Sequence, residues 1–193
     1  MDGRGSYTPW IVRIAAVTSF DMADNESRTE LWTFPTGFGT RGRPRALTAG
    51  DKDSDPKWSP DGRHVAFTAK RKGDDEPKIY LIDPSGGEAR RVTRLATGCA
   101  SLRWFPDGKR IAFVSWVWPE LRTDAQQAKR LKARKDDKVK AHVTERAEYR
   151  FWDHWLTDGR APHVFVVDIG SGRCRDALAG TGLALPPWEP TAE

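Results

Sequence analysis

The chain has 193 residues, 38% of them hydrophobic and 31% charged, with a mean hydropathy of −0.67, so it can bury a core but reads as a soluble protein. No apolar run exceeds a strand's length and residues 1–6 lack the pattern of a signal peptide; the chain as written is expected in the cytoplasm, with export of a longer parent left open. Cys99 and Cys174 stand far apart and outside any C-x-x-C, and of the net charge of +5 the segment 120–150 alone holds +4, so neither a disulfide framework, a zinc site nor a generally basic fold is indicated.

In chain order, Trp10 to Val17 is an apolar run that reads as a strand, although the turn that precedes later strands is missing before it. Residues 21–29 are polar and loop-like, residues 30–34 form the next strand, residues 36–44 hold three glycines and a proline as a hairpin connection, and residues 45–48 form a short strand. Asp51-Lys52-Asp53-Ser54-Asp55 resembles the opening of a calcium loop. Pro56 at its sixth place and Gly62 at its twelfth remove the required turn and the bidentate ligand, which favours a solvated loop.

Lys57-Trp58-Ser59-Pro60-Asp61-Gly62-Arg63-His64-Val65-Ala66-Phe67 comes next, and most of it recurs 46 residues later as Arg103-Trp104-Phe105-Pro106-Asp107-Gly108-Lys109-Arg110-Ile111-Ala112-Phe113. Pro60 and Pro106 preset φ in the turn, Asp61 and Asp107 tolerate the bridge-like position, and Gly62 and Gly108 supply a left-handed residue. A repeat of this length, built from a turn and a short apolar strand, is the signature of a β-propeller blade. Trp58 and Trp104 precede the turns, where a large ring can fill the wedge between neighbouring sheets. Residues 79–82 and 111–114 are apolar on both faces, as strands covered from both sides would be. Residues 90–93 match 45–48 as an outer strand.

Thr123-Asp124-Ala125-Gln126 fits a capping box, and the good helix formers that follow predict a surface helix over 124–135 with only Ala125, Ala128, Leu131 and Ala133 apolar. Its run Lys129-Arg130-Leu131-Lys132-Ala133-Arg134-Lys135 lacks interleaved aromatics and reads as a solvated face in preference to a nucleic-acid patch. Strand resumes over 142–149, followed by Trp152-Asp153-His154-Trp155, a turn at Thr157-Asp158-Gly159-Arg160, a strand over 163–168 and an outer strand over 174–178. Trp188-Glu189-Pro190 sits where a further motif would begin.

The fold class expected is all-β, a partial β-propeller of about four blade-like antiparallel sheets, three of them recognisable, with one surface helix inserted. The blade-like units fall at 7–48, 57–93 and 103–178, the helical insertion at about 123–140, and the start of another blade at 187–193.

Leu31-Trp32, residues 45–48, the two turn motifs, residues 86–93 and the stretch from Trp152 to Asp168 together resemble the N-terminal propeller of prolyl-oligopeptidase-family (S9) serine peptidases, most of all the dipeptidyl and acylaminoacyl peptidase branch. The turn motif alone is shared with TolB-type, WD40-like propellers. What the resemblance implies is a ring of seven or eight blades over an α/β-hydrolase domain that carries the catalytic Ser, Asp and His. This sequence has no G-x-S-x-G elbow for its histidines, His64, His142, His154 and His163, to serve, so no catalytic residue carries over. The expected role is a non-catalytic portion that admits small peptides; the rival is a stand-alone TolB-like propeller used as a protein-binding scaffold.

Among the candidate site residues, Asp153 could attract the α-ammonium of a peptide, with Trp152, His154 and Trp155 around it, or the tryptophans could pack between blades while Asp153 and His154 cap backbone. His154, His163 and Asp153 have poor spacing for a metal. No cofactor, nucleic acid or membrane is implied. The expected partners are the remaining propeller and the hydrolase domain, peptides in the intact parent, or other copies meeting through open blade faces.

Overall fold

The computed structural model describes residues 12–36, 42–139, 150–151, 154–155, 159–183 and 185. Its strands form three antiparallel sheets in chain order. The first contains β1 (Val12–Asp21), β2 (Glu26–Pro35) and β3 (Arg45–Ala46), in the order β1-β2-β3. The second contains β4 (Asp53–Trp58), β5 (Val65–Ala69), β6 (Lys78–Ile82) and β7 (Arg90–Arg91), in that order. The third begins with β8 (Ala100–Trp104) and β9 (Arg110–Val117). The helix α1 (Asp124–Asp136) and a small hairpin of β10 (Arg150–Phe151) and β11 (His154–Trp155) interrupt it before β12 (Ala161–Asp168) and β13 (Cys174–Asp176) complete the order β13-β12-β9-β8. The architecture is that of a partial β-propeller.

The repeat read in the sequence is a repeat of hydrogen bonds. In the second sheet the Gly62 amide donates to Ser59 O at 2.9 Å and the Ser59 amide to His64 O at 2.8 Å; in the third, Gly108 donates to Phe105 O at 3.0 Å and Phe105 to Arg110 O at 2.9 Å. Gly62 and Gly108 have φ of 69° and 63°, the left-handed conformation that a side chain would strain. Asp61 and Asp107 accept from the amides two residues on, of Arg63 at 3.1 Å and Lys109 at 2.9 Å. The Ser59 hydroxyl first and then the Arg63 amide hold Asp61 below the usual carboxylate range; the Lys109 amide heads the causes that do the same for Asp107.

The outer strands repeat as well. Leu47 and Val92 donate to Leu31 O and Ile79 O at 2.7 and 2.8 Å, and the Thr48 and Thr93 hydroxyls accept from the same residues' amides, each at 2.9 Å. In the third sheet the place of this threonine falls to Leu178, and the Leu178 amide turns instead to Asp176 Oδ1 at 2.9 Å.

Two apolar clusters lie between the sheets. Leu31 and Leu47 of the first sheet and its flank meet Val65, Phe67, Ala69, Tyr80 and Ile82 of the second; Ala66, Ile79 and Leu81 on the opposite face of the second meet Leu102, Ile111, Phe113, Phe165 and Val167 of the third. Phe67 stacks on Tyr80 with ring centroids 5.9 Å apart, and 46 residues on Phe113 stacks on Phe165 at 5.7 Å. The Tyr80 hydroxyl donates to Asp74 Oδ2 at 2.7 Å, and Arg91 Nη1 donates to Asp74 Oδ1 at 2.8 Å. Burial, then the hydrogen bond to Asp74, pushes the Tyr80 phenol up to about 12.

Three sequence readings need correction. Residues 26–29 are strand and not loop: β1 and β2 pair over ten positions, from Val12↔Pro35 to Asp21↔Glu26, around a turn in which Asp21 accepts from the Ala23 and Asp24 amides. The far half of this hairpin is exposed on both faces, so it shows no apolar alternation to reveal it. Asp53 is fully buried at the start of β4, not in a solvated loop, because Arg71 neutralises it at 3.0 Å. β5 and β6 are buried at every position, but β9 alternates, since only one of its faces has a described sheet against it. The helix forms on the surface with its Thr123–Gln126 capping box, as expected, and its buried residue is Gln127. The strand expected over 142–149, residues 10 and 11 of the strand expected from Trp10 to Val17, and the Trp188 motif lie outside the described residues.

Replacing Phe113 by Ala should cost about 3–5 kcal/mol by removing a ring that fills the space between two sheets, read as a fall in the urea midpoint with unchanged slope. In an absorbance titration at 295 nm, one of the three tyrosines should ionise near 12 and that step should vanish in Tyr80→Phe. Because the folded value is raised, the contribution is fully present below about 10 and lost as pH rises through about 12.

Candidate functional site: the groove along the inner strands

β4 and β8 are the first, edge strands of their sheets and lie side by side. Each carries a bulge at the same repeat position. Pairing slips between Ser54 and Lys57 in one and between Ala100 and Arg103 in the other, and Asp55 and Ser101, 46 residues apart, take φ of 49° and 51°. A bulge adds a residue to one strand and re-aims its side chains. Here it turns Asp55 toward the third sheet, where its Oδ2 accepts from the Leu102 amide at 3.1 Å while Oδ1 pairs with Lys57 Nζ at 2.8 Å. Trp104 Nε1 completes the tie by donating to Lys57 O at 3.1 Å. The tryptophan before the turn therefore joins the two sheets, as the wedge reading expected.

Beside these strands runs an open groove of about 780 Å³, lined by Lys52, Ser54, Lys57, Lys70, Ser101 and Arg103 together with Asp51 and Asp53. Its lining offers charges of both signs and hydroxyls, suited to backbone amides and the charged ends of peptides. Asp53 forms part of its wall. Burial raises its pKa despite Arg71, and its Oδ1 has no hydrogen-bond partner in the structure. Arg71 spreads over the Phe67 and Tyr80 rings at 5.9 and 5.7 Å, which holds the guanidinium against the carboxylate. Gly50 lies close beneath the pair: a Cβ there would lie 1.6 Å from Arg71 Nη1 and 2.5 Å from the Asp53 carboxylate, so both side chains would have to shift. Sequence reasoning missed the groove. The 46-residue offset, extended backward from Trp58 and Trp104, would have aligned Asp55 with Ser101, but those residue types share no pattern.

The residues singled out in the sequence fall differently. Trp152 and Asp153 lie outside the described residues, and of His154 and Trp155 the pairing of β11 with β10 is what is described: His154↔Phe151 and Trp155↔Arg150. His163 Nδ1 lies 2.7 Å from Asp176 Oδ2, in a contact that fastens β12 to the outer strand. Opposite His163 in the ladder stands Ser115, but its hydroxyl is buried, bonded to Gly98 O and Thr97 Oγ1 at 2.7 Å each, and points at no open space for a substrate. Among the described residues no group of three or more His, Cys, Asp or Glu could hold a metal ion, and no helix is long and apolar enough to cross a membrane. The basic run of α1 has local partners: Arg130 pairs with Glu120, Lys135 with Asp75 at 2.8 Å, and the guanidiniums of Arg130, Arg134 and Arg160 lie 5.3, 5.9 and 5.7 Å from the Trp118 ring. Gln127 holds Trp118 in place, its Oε1 accepting from the Trp118 amide at 3.1 Å and its Nε2 donating to Trp118 O at 2.9 Å.

No protein-family model matches the chain. It is 31% identical over 173 residues to the uncharacterized peptidase YuxL of Bacillus subtilis, matching 88% of this chain and 25% of the relative. It is 29% identical over 179 residues to dipeptidyl-peptidase 5 of Porphyromonas endodontalis, matching 90% of this chain and 24% of that one. The chain thus spans about a quarter of the length of these curated relatives. Among solved structures, the acylaminoacyl peptidase of Pyrococcus horikoshii superposes with a TM-score of 0.59 at 17% identity, over 85% of this chain and 22% of that one, a likeness of fold. Repeat and sheet order give the fold of a partial β-propeller, and the sequence matches make nearly all of the chain similar to a propeller portion, about a quarter of the length, of prolyl-oligopeptidase-family serine peptidases.

Proposed function

We propose that the chain acts as the non-catalytic propeller portion of such a peptidase, screening which peptides reach an α/β-hydrolase active site that its own residues do not supply. The observation that carries this reading is a peptidase match running through 88% of a chain that contains no G-x-S-x-G elbow. The groove beside β4 and β8 supports it: a surface with charges of both signs and hydroxyls can hold an extended peptide transiently. Within this reading Asp153 is assigned the attraction of a free peptide N-terminus. The rival, a TolB-like scaffold that binds proteins and serves no hydrolase, rests on the shared turn motif.

Exchanging the chain for the matching segment of the Porphyromonas endodontalis dipeptidyl-peptidase separates the two. The chimera should cleave a dipeptidyl chromogenic substrate and leave a long unfolded polypeptide intact, whereas removing the segment should admit the long substrate. A deletion enzyme that still discriminates by length, or an inactive but folded chimera, would contradict the proposal. In the same chimera Asp153→Ala should raise KM for substrates with free N-termini about tenfold, as losing one charge-assisted hydrogen bond would, and spare N-blocked ones. An equal change for both would remove Asp153 from the account.

A further inference from the structure

Polar side chains at repeated positions are spent on backbone carbonyls of the next sheet or of the loop that leads to it. Arg45 Nη2 donates to Pro84 O at 2.8 Å and Arg90 Nη2 to Ile169 O at 3.2 Å. Lys78, buried on β6, donates from Nζ to Leu95 O at 2.5 Å in the loop ahead of β8. Its counterpart in the third sheet is His163: each stands two residues before the ring that stacks across the ladder, Tyr80 on Phe67 and Phe165 on Phe113. His163 is used differently. Its Nδ1 reaches Asp176 Oδ2 of its own outer strand at 2.7 Å, and among the described residues Nε2 has no hydrogen-bond partner.

The imidazole is held in one orientation. Asp176 Oδ1 accepts from the Leu178 and Ala179 amides at 2.9 and 3.2 Å, which fixes the carboxylate that holds the ring. An ionised carboxylate only accepts, so the proton of the neutral ring lies on Nδ1 and the lone pair on Nε2. The His163 side chain is 8% exposed, and it borders a cavity of about 660 Å³. Leu95, Val117, Trp118, Leu121, Phe165 and Leu178 give this cavity apolar walls. Of the polar side chains that border it, Thr97, Asp124 and Gln127 are already engaged, with Ser115, the Ala96 amide and the Trp118 backbone. Val117 and Phe165 belong to the cluster between the second and third sheets. The cavity therefore lies on the side of the third sheet that meets the second, and not on the side onto which a further blade would pack.

We propose that this cavity binds a small apolar molecule carrying one hydroxyl or N–H, which it donates to His163 Nε2. The size, the apolar walls and the single fixed acceptor are the features that small-molecule sites combine. The walls are set in advance, since Gln127 ties down Trp118 and Asp176 ties down the imidazole. The proposal does not depend on the peptidase reading, which stands if it fails.

Isothermal titration of the full chain in mildly alkaline buffer, where imidazole as a class is neutral, tests it with 4-methylphenol as the probe. The wild type should bind this phenol saturably at one site. It should bind 4-methylanisole, the same body with its hydroxyl capped, about tenfold more weakly, the loss of one hydrogen bond. His163→Leu should bring the two probes to the same affinity, and Leu121→Trp should lower both by filling the cavity. Should His163→Leu not fold, the wild-type comparison and Leu121→Trp carry the test. Absence of saturable binding to the wild type overturns the proposal, as do equal wild-type affinities for the two probes or binding that Leu121→Trp leaves unchanged. A preference for 4-methylbenzoate overturns it too, by assigning the cavity to the exposed Arg122 on its lining.

Discussion

The structure depends on sheets packed face to face. A single small sheet cannot bury both faces of its own strands, and the second sheet succeeds only because the first covers Val65, Phe67 and Tyr80 while the third covers Ala66, Ile79 and Leu81. Burial of a large apolar side chain contributes about 1.5–3 kcal/mol, so the two clusters outweigh any surface ion pair in the chain. Surface pairs such as Arg63–Asp61, at 3.9 Å with both partners exposed, add little.

Polar groups set the register and spacing of those sheets. Thr48 and Thr93 fix the outer strands, Gly62 and Gly108 turn the hairpins, and Asp55, Trp104, Arg45 and Arg90 cross from one sheet to the next. Backbone carbonyls and amides receive most of these crossings. A backbone partner is available whatever residue occupies the position, which allows the same tie to recur although the side chains around it differ, as Pro84 and Ile169 do.

The parts legible in the sequence were those governed by local rules. Pro60-Asp61-Gly62 and Pro106-Asp107-Gly108 announce their turns because few residue types adopt those dihedrals, and Thr123 with Gln126 announces a helix start because both side chains satisfy free amides. The far half of the β1–β2 hairpin was hidden because it buries almost nothing, leaving Phe20 and Met22 74% and 89% exposed. Asp53 was hidden because its burial depends on Arg71, eighteen residues away, and Gln127 because its partners belong to the Trp118 loop. Of the candidate site, the turn residues could be read and the groove could not, since a bulge is a property of strand pairing and leaves no mark on one strand alone.

If packing on both faces is what holds the second sheet, its amides should be the slowest in the chain to exchange with solvent. Hydrogen exchange followed by mass spectrometry reads this peptide by peptide. The account predicts that β5 and β6 exchange only through global unfolding while the tip of the β1–β2 hairpin exchanges within seconds. Equal protection of both, or a hairpin slower than β5 and β6, would contradict it.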